Sequence, residues 1–449
     1  MEKRRVVTSF LEREGKILLL KRSSKVGTYK GRWAGVSGYV DDNEELLHAA
    51  LREIEEETEL PRNEVKLLRA GKLLPIPDAT NNILWLVKPY LFRIHTDKIR
   101  VDWEHQEYRW IKPEDLEGYE TVPMLGETLE RVMELHPKPV ILDSEVMEGS
   151  RRIISDRTHG ATWLAGEALR VAKLASERCE ATDVGDYVRY LKVVIDELMR
   201  TRASMAPLTS SLSLLFHDID EASKAGSLSQ LKTLTASKVE ALTMKLKEAM
   251  FDTAKYASQL IKDGDTVMTH SYSSTILEAL REAFQQGKHF KTVITESRPL
   301  FEGRITAKEL SKLGVPVELI VDSTAAYFVS SVDKVLVGAD SVLADGSIIN
   351  KAGTYSIALA AKDSGVSFYA ATQKVKYDVR SYLGEKVTLE EKDSSEVWEE
   401  TVLGVKVRNL YFDVTPASYL SGIVTEDGMV KPEEMTTQIE AMLPHMYLG

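Results

Sequence analysis

After Gly264 the sequence alternates short apolar runs with segments of helical periodicity. Strands that alternate with helices favour a parallel sheet, because two parallel neighbours need a long crossover between them. An open sheet of this kind binds its ligands at the carboxyl ends of the strands. We therefore predict such a sheet over residues 262–449, with strands at 266–268, 292–294, 316–321, 334–337 and 366–371.

The residues before this sheet form two further blocks. Between residues 151 and 261 almost no proline occurs, and apolar residues recur at three- and four-residue spacing, which predicts a helical block. Within it, Ala206–Ser211 is predicted as a loop. Residues 1–136 mix β-rich runs with one long charged segment, an α+β pattern with an antiparallel sheet. Two prolines then interrupt any helix, and they predict a linker at 137–150.

Charge and cysteine content exclude several classes of function. The 449 residues include 58 Lys and Arg against 69 Asp and Glu, a formal charge of -11. This sign disfavours a nucleic acid or an anionic membrane as the main ligand. The one cysteine, Cys179, can form neither an internal disulfide nor a thiolate metal site, which predicts a cytoplasmic protein. No apolar stretch approaches the roughly 20 residues of a membrane span.

A cluster of carboxylates in the first block carries the strongest chemical signal. Glu53, Glu56 and Glu57 are spaced i, i+3 and i+4, so a helix places all three on one face. A hard divalent cation would offset their repulsion, most simply Mg²⁺, with Mn²⁺ as an alternative. Arg52 is predicted to pair with either Glu56 or Glu44.

This stretch resembles the Nudix box. The residues on motif positions are Gly38, Glu44, Arg52, Glu53, Ile54, Glu56, Glu57 and Leu60. Glu59 stands where the family has glycine, at a helix exit where a left-handed turn is often wanted. The resemblance covers about residues 1–136. It implies a Nudix α/β/α sandwich that hydrolyses a nucleoside diphosphate linked to another moiety X, with Arg52 and the three glutamates in the catalytic site and Mg²⁺ on Glu53, Glu56 and Glu57.

Residues outside the box often supply a further base in this family. Glu104 and Glu107 are candidates, and a plain surface role is the alternative for each. Just before the box, Lys30–Trp33 offer a phosphate contact and a base-stacking ring, with a core role for Trp33 equally open.

Polar motifs follow the predicted strands of the last block. They are Thr269-His270-Ser271, Thr295-Glu296-Ser297-Arg298-Pro299, Gly338-Ala339-Asp340 and Asn350-Lys351-Ala352-Gly353-Thr354. Polar residues at strand ends are where an open sheet holds a ligand, and Gly353-Thr354 at a helix start would suit an anion. Capping and turn chemistry alone is the alternative for each motif.

In this order the motifs resemble a family that comprises the α, β and δ subunits of initiation factor 2B, ribose-1,5-bisphosphate isomerase and methylthioribose-1-phosphate isomerase. Its further matches are Asp156–Ala161, Gly303-Arg304 and Phe412–Pro416. The resemblance spans about residues 145–449 and implies a helical subdomain at 151–261, a Rossmann-like sheet at 262–449 and a homo-oligomer, dimeric or higher. The ligand-binding residues that we predict are Gly38 in the first block and Arg157, Gly160, His270, Ser271, Arg298, Asn350 and Lys351 in the others.

The isomerases of this family use a cysteine after Thr-His and an aspartate after Gly-Ala. This chain keeps the aspartate as Asp340 but has Ser271 in place of the cysteine. A thiol pKa near 8.5 can be tuned for acid–base work, whereas an alkoxide needs a strong neighbouring base. We therefore predict a domain that binds a nucleotide or sugar phosphate. The alternatives are a translation regulator that binds initiation factor 2, and an aldose-phosphate isomerase that relies on Asp340.

Overall fold

The structure is a computed structural model, which describes residues 2–41, 44–78, 81–96, 99–133, 141–156, 160–202, 205–384, 387, 389, 391–400, 402, 404–443 and 446. The chain divides between residues 140 and 141 into two compact units, the first unit and the second unit. None of the helices in these ranges combines the length and apolarity that a membrane crossing requires.

In its described residues the first unit contains an eight-stranded sheet and two α-helices. They are β1 (Glu2–Arg13), β2 (Lys16–Arg22), β3 (Trp33–Ala34), β4 (Val36–Tyr39), α1 (Leu46–Thr58), β5 (Val65–Ala70), β6 (Leu74–Asp78), β7 (Ile83–Ile94), β8 (His105–Ile111) and α2 (Leu125–Glu130). The prediction of an antiparallel sheet is wrong for the central pair, since β1 and β7 run parallel, while the other pairs are antiparallel. The long connection through α1 lets β7 return in the direction of β1.

Alternation along β2 shows how the sheet comes to lie between two helices. Leu18 and Leu20 pack in one apolar core with α1, whereas Ile17 and Leu19 pack in another core with α2. Successive side chains of a strand point to opposite faces, so a continuous apolar run serves both cores. The predicted α/β/α sandwich is thereby confirmed.

The second unit begins with five helices. They are α3 (Ser144–Ser155), α4 (Ala161–Arg178), α5 (Val184–Thr201), α6 (Ala206–Ser223) and α7 (Leu228–Ser258). Helix α3 starts inside the segment 137–150 that was predicted as a linker, because Asp143 caps it by accepting a hydrogen bond from the Glu145 amide. The loop predicted at Ala206–Ser211 is wrong: α6 begins at Ala206, and a proline in the first turn is tolerated since its amide would have no partner there.

A seven-stranded sheet and a smaller three-stranded sheet follow. Their elements are β9 (Thr266–Thr269), α8 (Ser274–Gln285), β10 (Lys291–Thr295), α9 (Glu302–Leu313), β11 (Val317–Ile320), α10 (Ala325–Val329), β12 (Lys334–Gly338), β13 (Ser341–Val342), β14 (Ile348–Lys351), α11 (Thr354–Asp363), β15 (Ser367–Ala371), α12 (Val379–Tyr382), β16 (Phe412–Thr415), β17 (Gly422–Thr425), β18 (Gly428–Val430) and α13 (Met435–Glu440).

The order of the large sheet is β11-β10-β9-β12-β15-β17-β18, and every pair is parallel except β17 with β18. The chain moves outward from β9 to β11 and then returns to the other side of β9 as β12. Crevices at such reversals, beyond the carboxyl ends of the strands, are where open sheets bind ligands. The predicted Rossmann-like sheet is confirmed, and its reversal lies between β9 and β12.

Candidate functional site

Helix α1 carries the predicted carboxylates of the first unit. Ile54 is completely buried and fixes the helix against the sheet. On the adjoining face the side chains of Glu53 and Glu57 are 12% and 5% exposed, whereas Glu56 is 58% exposed. The spacing thus places two carboxylates in the interior and one at the surface of the same face.

Arg52 lies among these carboxylates. Its Nη1 is 2.6 Å from Oε1 of Glu53 and 3.2 Å from Oε2 of Glu56, and its Nη2 is 3.0 Å from Oε2 of Glu44. Both predicted partners are therefore bonded at once. Since the guanidinium separates the carboxylates, no three potential metal ligands converge in the described parts of the chain.

Glu57 is the most deeply buried of the three glutamates. The Ser37 amide donates a 3.4 Å hydrogen bond to its Oε1, but its Oε2 has no hydrogen-bond partner among the described residues. Burial, then the charges of Glu53 and Asp102, raise the pKa of Glu57 well above its usual value. A buried carboxylate in this condition fits a cation ligand, because a bound metal ion would satisfy its second oxygen.

His105 lies behind Glu57, and its role was missed by the sequence reasoning. Its Nε2 is 3.7 Å from Oε2 of Glu57, and its Nδ1 is 2.9 Å from Oδ1 of Asp102. Burial lowers the pKa of His105, which favours the neutral ring. When the neutral ring donates its Nδ1 proton to Asp102, its Nε2 carries no proton, so the ring packs beside Glu57 without a hydrogen bond to it.

Two backbone positions frame α1. A Cβ added at Gly38 would lie 1.8 Å from the carboxyl carbon of Glu53, so this glycine provides the space that the carboxylate occupies. At the other end Glu59 has φ of 57°, so the helix exit, whose geometry the missing glycine had put in question, is left-handed.

A pocket of about 390 Å³ opens beside these carboxylates. It is lined by Gly38, Arg52, Glu53 and Glu56, together with Glu104. The other candidate base, Glu107, does not line this pocket and pairs with Arg109 at 2.6 Å. Trp33 is 6% exposed and packs edge-on against Tyr119 in the core with α2, so of its two predicted roles the structure favours the core.

A larger cavity, of about 650 Å³, lies in the second unit at the reversal of the large sheet. It brings together five of the predicted site residues, Gly160, Ser271, Asp340, Asn350 and Lys351. Ser271 lies two residues after β9 and Asp340 two residues after β12. Ser271 and Asp340 meet because the ends of the adjacent parallel strands β9 and β12 share one edge, whereas Asn350 and Lys351 come from β14 of the small sheet and Gly160 from the start of α4.

The backbone at Ser271 is unusual for a residue with a side chain. Its φ is 67°, and its amide donates a 2.8 Å hydrogen bond to Oγ of Ser297. Its carbonyl accepts a hydrogen bond from Oγ1 of Thr306. A left-handed conformation costs about 1 kcal/mol or more in a residue other than glycine, and such positions concentrate at functional sites.

Two buried lysines line the cavity, whose wall also contains Arg202, Lys247 and Lys392. Lys351 has its Nζ 2.7 Å from Oε1 of Glu302 and 3.5 Å from the centre of the Tyr411 ring. Lys376, which was not predicted, donates a 2.7 Å hydrogen bond to the Ala339 carbonyl. Burial lowers the pKa of Lys376, and the charge of Asp340 opposes that shift. Its place after β15, at the same edge of the sheet, is the signal that could have identified it.

Two predicted residues, His270 and Arg298, do not line the cavity. His270 is buried behind it, with Nδ1 2.6 Å from Oγ1 of Thr295 and Nε2 3.0 Å from the Ala352 carbonyl oxygen. Arg298 is exposed, and its guanidinium donates to the Val397 carbonyl. Arg157 lies outside the described residues.

The start of α11 was predicted to suit an anion, and a carboxylate of the chain itself occupies it. Oδ2 of Asp413 accepts hydrogen bonds from the amides of Gly353 at 2.7 Å and Tyr355 at 3.2 Å. Burial raises the pKa of Asp413 to about 6. This helix terminus is therefore not a free anion site.

Comparisons with known proteins match the first and the second unit to two different families. Residues 2–132 match the NUDIX domain, and residues 157–432 match the initiation factor 2 subunit family. The ribose 1,5-bisphosphate isomerase of Thermococcus kodakarensis is 34% identical over 294 residues, which are 64% of this chain and 91% of that protein.

Solved structures resemble the second unit in fold. The translation initiation factor eIF-2B of Pyrococcus horikoshii matches with a TM-score of 0.56 and 33% identity over 65% of this chain and 98% of its own. The 5-methylthioribose 1-phosphate isomerase of the same organism matches with a TM-score of 0.55 and 26% identity over 67% and 87%. The chain belongs to the initiation factor 2 subunit family and carries a NUDIX domain before the family's own domain.

Proposed function

We propose that the first unit is a pyrophosphohydrolase that cleaves a nucleoside diphosphate linked to a second moiety, with Mg²⁺ or Mn²⁺ held by Glu53, Glu56 and Glu57. The observation that carries the proposal is the buried Glu57 carboxylate, whose second oxygen has no hydrogen-bond partner in the described structure. When bound, the metal ion would neutralise pyrophosphate oxygens and help to generate the attacking hydroxide.

The protein groups around the carboxylates have separable tasks. Arg52 holds Glu53 and Glu44 in fixed orientations, and Gly38 leaves the volume that Glu53 needs. Arg22 lines the same pocket and forms no ion pair with the described carboxylates, so its charge is available to a phosphate. Glu104 also lines the pocket and is the better placed of the two candidates for a base.

Turnover of a panel of nucleoside diphosphate derivatives, with and without Mg²⁺, tests this proposal. Glu56→Gln is expected to lower kcat/KM by on the order of 10²-fold or more. Glu55→Gln is the matched control, because Glu55 on the same helix is 54% exposed, pairs with Arg62 and does not line the pocket. Absence of Mg²⁺-dependent turnover, or equal turnover by the two variants, would contradict the proposal.

For the second unit we propose binding of a sugar phosphate or nucleotide. Lys351 and Lys376 support it, because each presents a buried ammonium group at the cavity wall. A nucleotide sugar such as ADP-ribose would yield AMP and a sugar phosphate in the first unit, and the second unit would sense or use that product. Calorimetric titration with AMP and with ribose 5-phosphate measures such binding directly, and no heat with either would contradict it.

A second candidate for this unit is aldose-phosphate isomerisation. Two observations favour it: Asp340 and Ser271 line one cavity, and the relative from Thermococcus kodakarensis is a ribose 1,5-bisphosphate isomerase. Incubation with ribose 1,5-bisphosphate followed by product analysis tests it. We expect any conversion to be lost in Asp340→Asn and to rise in Ser271→Cys, which restores a thiol; an unchanged sugar in all three proteins eliminates isomerisation.

A regulatory role in translation is the further alternative, supported by the 33% identity to the Pyrococcus horikoshii initiation factor. Co-purification with initiation factor 2 would favour it, and absence of a complex would count against it. We also propose that the protein is cytoplasmic, because a lone cysteine suits a reducing compartment. From the family resemblance of residues 145–449 we further propose a homo-oligomer. Light scattering of the purified protein measures the oligomer.

A further inference from the structure

The pocket of the first unit has an aromatic wall as well as an acidic one. Tyr29, Tyr39 and Trp85 line it along with the carboxylates of α1. The ring centres of Tyr39 and Trp85 are 6.0 Å apart with planes inclined by 42°, and those of Tyr29 and Trp85 are 6.5 Å apart. Ile76 and Val87 form an apolar floor in the same core as Trp85. The wall is thus a continuous apolar and aromatic surface.

Hydrogen bonds fix two of these rings. The Tyr29 hydroxyl donates to Oδ2 of Asp78 at 2.5 Å, and Nε1 of Trp85 donates to the Tyr29 oxygen at 3.2 Å. Asp78 is held in turn by the amide and side chain of Asn81. Because the polar atoms of both rings have partners, what they offer to the pocket is their apolar faces. Rings fixed in this way lose little entropy when a ligand packs on them.

Tyr39 differs from the other two rings, because it is 51% exposed whereas Trp85 is 8% exposed. It directly follows Gly38 at the end of β4, and its carbonyl accepts a 3.0 Å hydrogen bond from Nη2 of Arg52. The backbone of Tyr39 is therefore bound to Arg52, the residue that orders the carboxylates, while the ring of Tyr39 keeps an exposed face. A ligand that reaches the carboxylates through a bound cation and also packs on this ring would combine a phosphate-like group with a flat ring a short distance away.

We propose that Tyr39, backed by Trp85, is the stacking platform for the nucleobase of the substrate. This inference rests on the proposed hydrolase function and assigns the residues that bind the nucleoside part of its substrate. Stacking of a base on an aromatic side chain contributes on the order of 1–3 kcal/mol, equal to about 5- to 150-fold in affinity. Tyr39 and Trp85 thus take the stacking role that the sequence had offered to Trp33, which lies in the core.

The test compares a substrate with a base and one without. With ADP-ribose, Tyr39→Leu is expected to raise KM about tenfold or more, and Tyr39→Trp is expected to restore it. With 5-phosphoribosyl 1-pyrophosphate, which has a diphosphate but no base, Tyr39→Leu is expected to match the unaltered protein. Tyr108→Leu is the control, because Tyr108 is 37% exposed on β8 but does not line the pocket. Equal effects of Tyr39→Leu on both substrates would overturn the proposal.

Binding of AMP in the absence of metal separates this inference from the hydrolase proposal. Titrations are made in protein that also carries Lys351→Met and Glu302→Gln, so that the cavity of the second unit contributes less and no buried carboxylate is left unpaired. If AMP binds and Tyr39→Leu abolishes the binding while no substrate is turned over, the base platform stands and the hydrolase proposal fails. The opposite outcome is turnover of substrates together with equal affinities of the Tyr39→Leu and unaltered proteins for AMP. In that case the proposal of a base platform is refuted, and the hydrolase proposal stands.

Discussion

The two candidate sites bury titratable groups of opposite sign, and these groups differ in their hydrogen-bond partners. In the first unit one oxygen of Glu57 has no hydrogen-bond partner in the described structure. In the second unit the ammonium groups of Lys351 and Lys376 each have an oxygen partner, from Glu302 and Ala339 respectively. A buried charge that lacks a partner is costly, whereas one with a partner can persist until a ligand replaces that partner. We therefore propose a cation as the ligand of the first site, and for the second site an anion that competes with the protein's own acceptors.

The largest expected effect tests the cation half of this comparison. Glu53→Gln keeps the shape of the side chain but removes the charge that Arg52 contacts, and it should lower kcat/KM by on the order of 10³-fold, about 4 kcal/mol. Binding of Mn²⁺, followed by electron paramagnetic resonance without substrate, should weaken in parallel. A variant that retains both within a factor of three would show that Glu53 is not a metal ligand.

The next effect concerns the anion half. Removing Lys351 alone would leave Glu302 buried and unpaired, so the double variant Lys351→Met with Glu302→Gln is the better probe. We expect its affinity for ribose 5-phosphate to fall about 100-fold, roughly 2.7 kcal/mol, with turnover by the first unit unchanged. Lys362→Met is the control, since that exposed lysine on α11 does not line the cavity. Unaltered affinity of the double variant in calorimetry would break the comparison.

A smaller effect follows from the chain's own anion at α11. The pKa of Asp413 is raised from 3.8 to about 6, so the folded state binds its proton more tightly than the unfolded state. The resulting stabilisation is full below pH 3.8 and is lost as the pH rises through 6. Between pH 4.5 and 7.5 the unaltered protein should lose about 2 kcal/mol relative to Asp413→Asn, which does not titrate. Urea unfolding at both pH values measures this, and a constant difference would contradict it.

The smallest effect tests the left-handed exit of α1. Glu59→Gly should raise the free energy of unfolding by up to about 1 kcal/mol, because glycine adopts this φ without strain. Glu59→Ala keeps the strain and removes the exposed ion pair with Arg100, so it should be neutral or slightly destabilising. Thermal unfolding of the two variants distinguishes them; equal melting temperatures would mean that the exit carries no strain.

These sites also differ in how far a sequence can predict them. Glu53, Glu56 and Glu57 lie within one helix, so their spacing alone determines that they share a face. The role of His105 depends on β8 lying beside α1, and that of Lys376 on the position of β15 in the sheet, which no local pattern specifies. The parallel pairing of β1 with β7 was missed for the same reason, because alternation along a strand does not reveal the direction of its neighbour.

The helices of the second unit share one apolar core with its small sheet, since Ile349 and Phe412 pack among α3 to α7. The boundary at residue 261, which we predicted from periodicity, therefore separates two sequence patterns but not two cores. Apolar side chains from both sides of it are in contact. The cavity has the same dependence, because Gly160 comes from the helical part and Ser271 from the sheet. A cut at residue 261 would therefore separate side chains that share one core and residues that share one cavity, so we expect the two parts of the second unit to be stable only together.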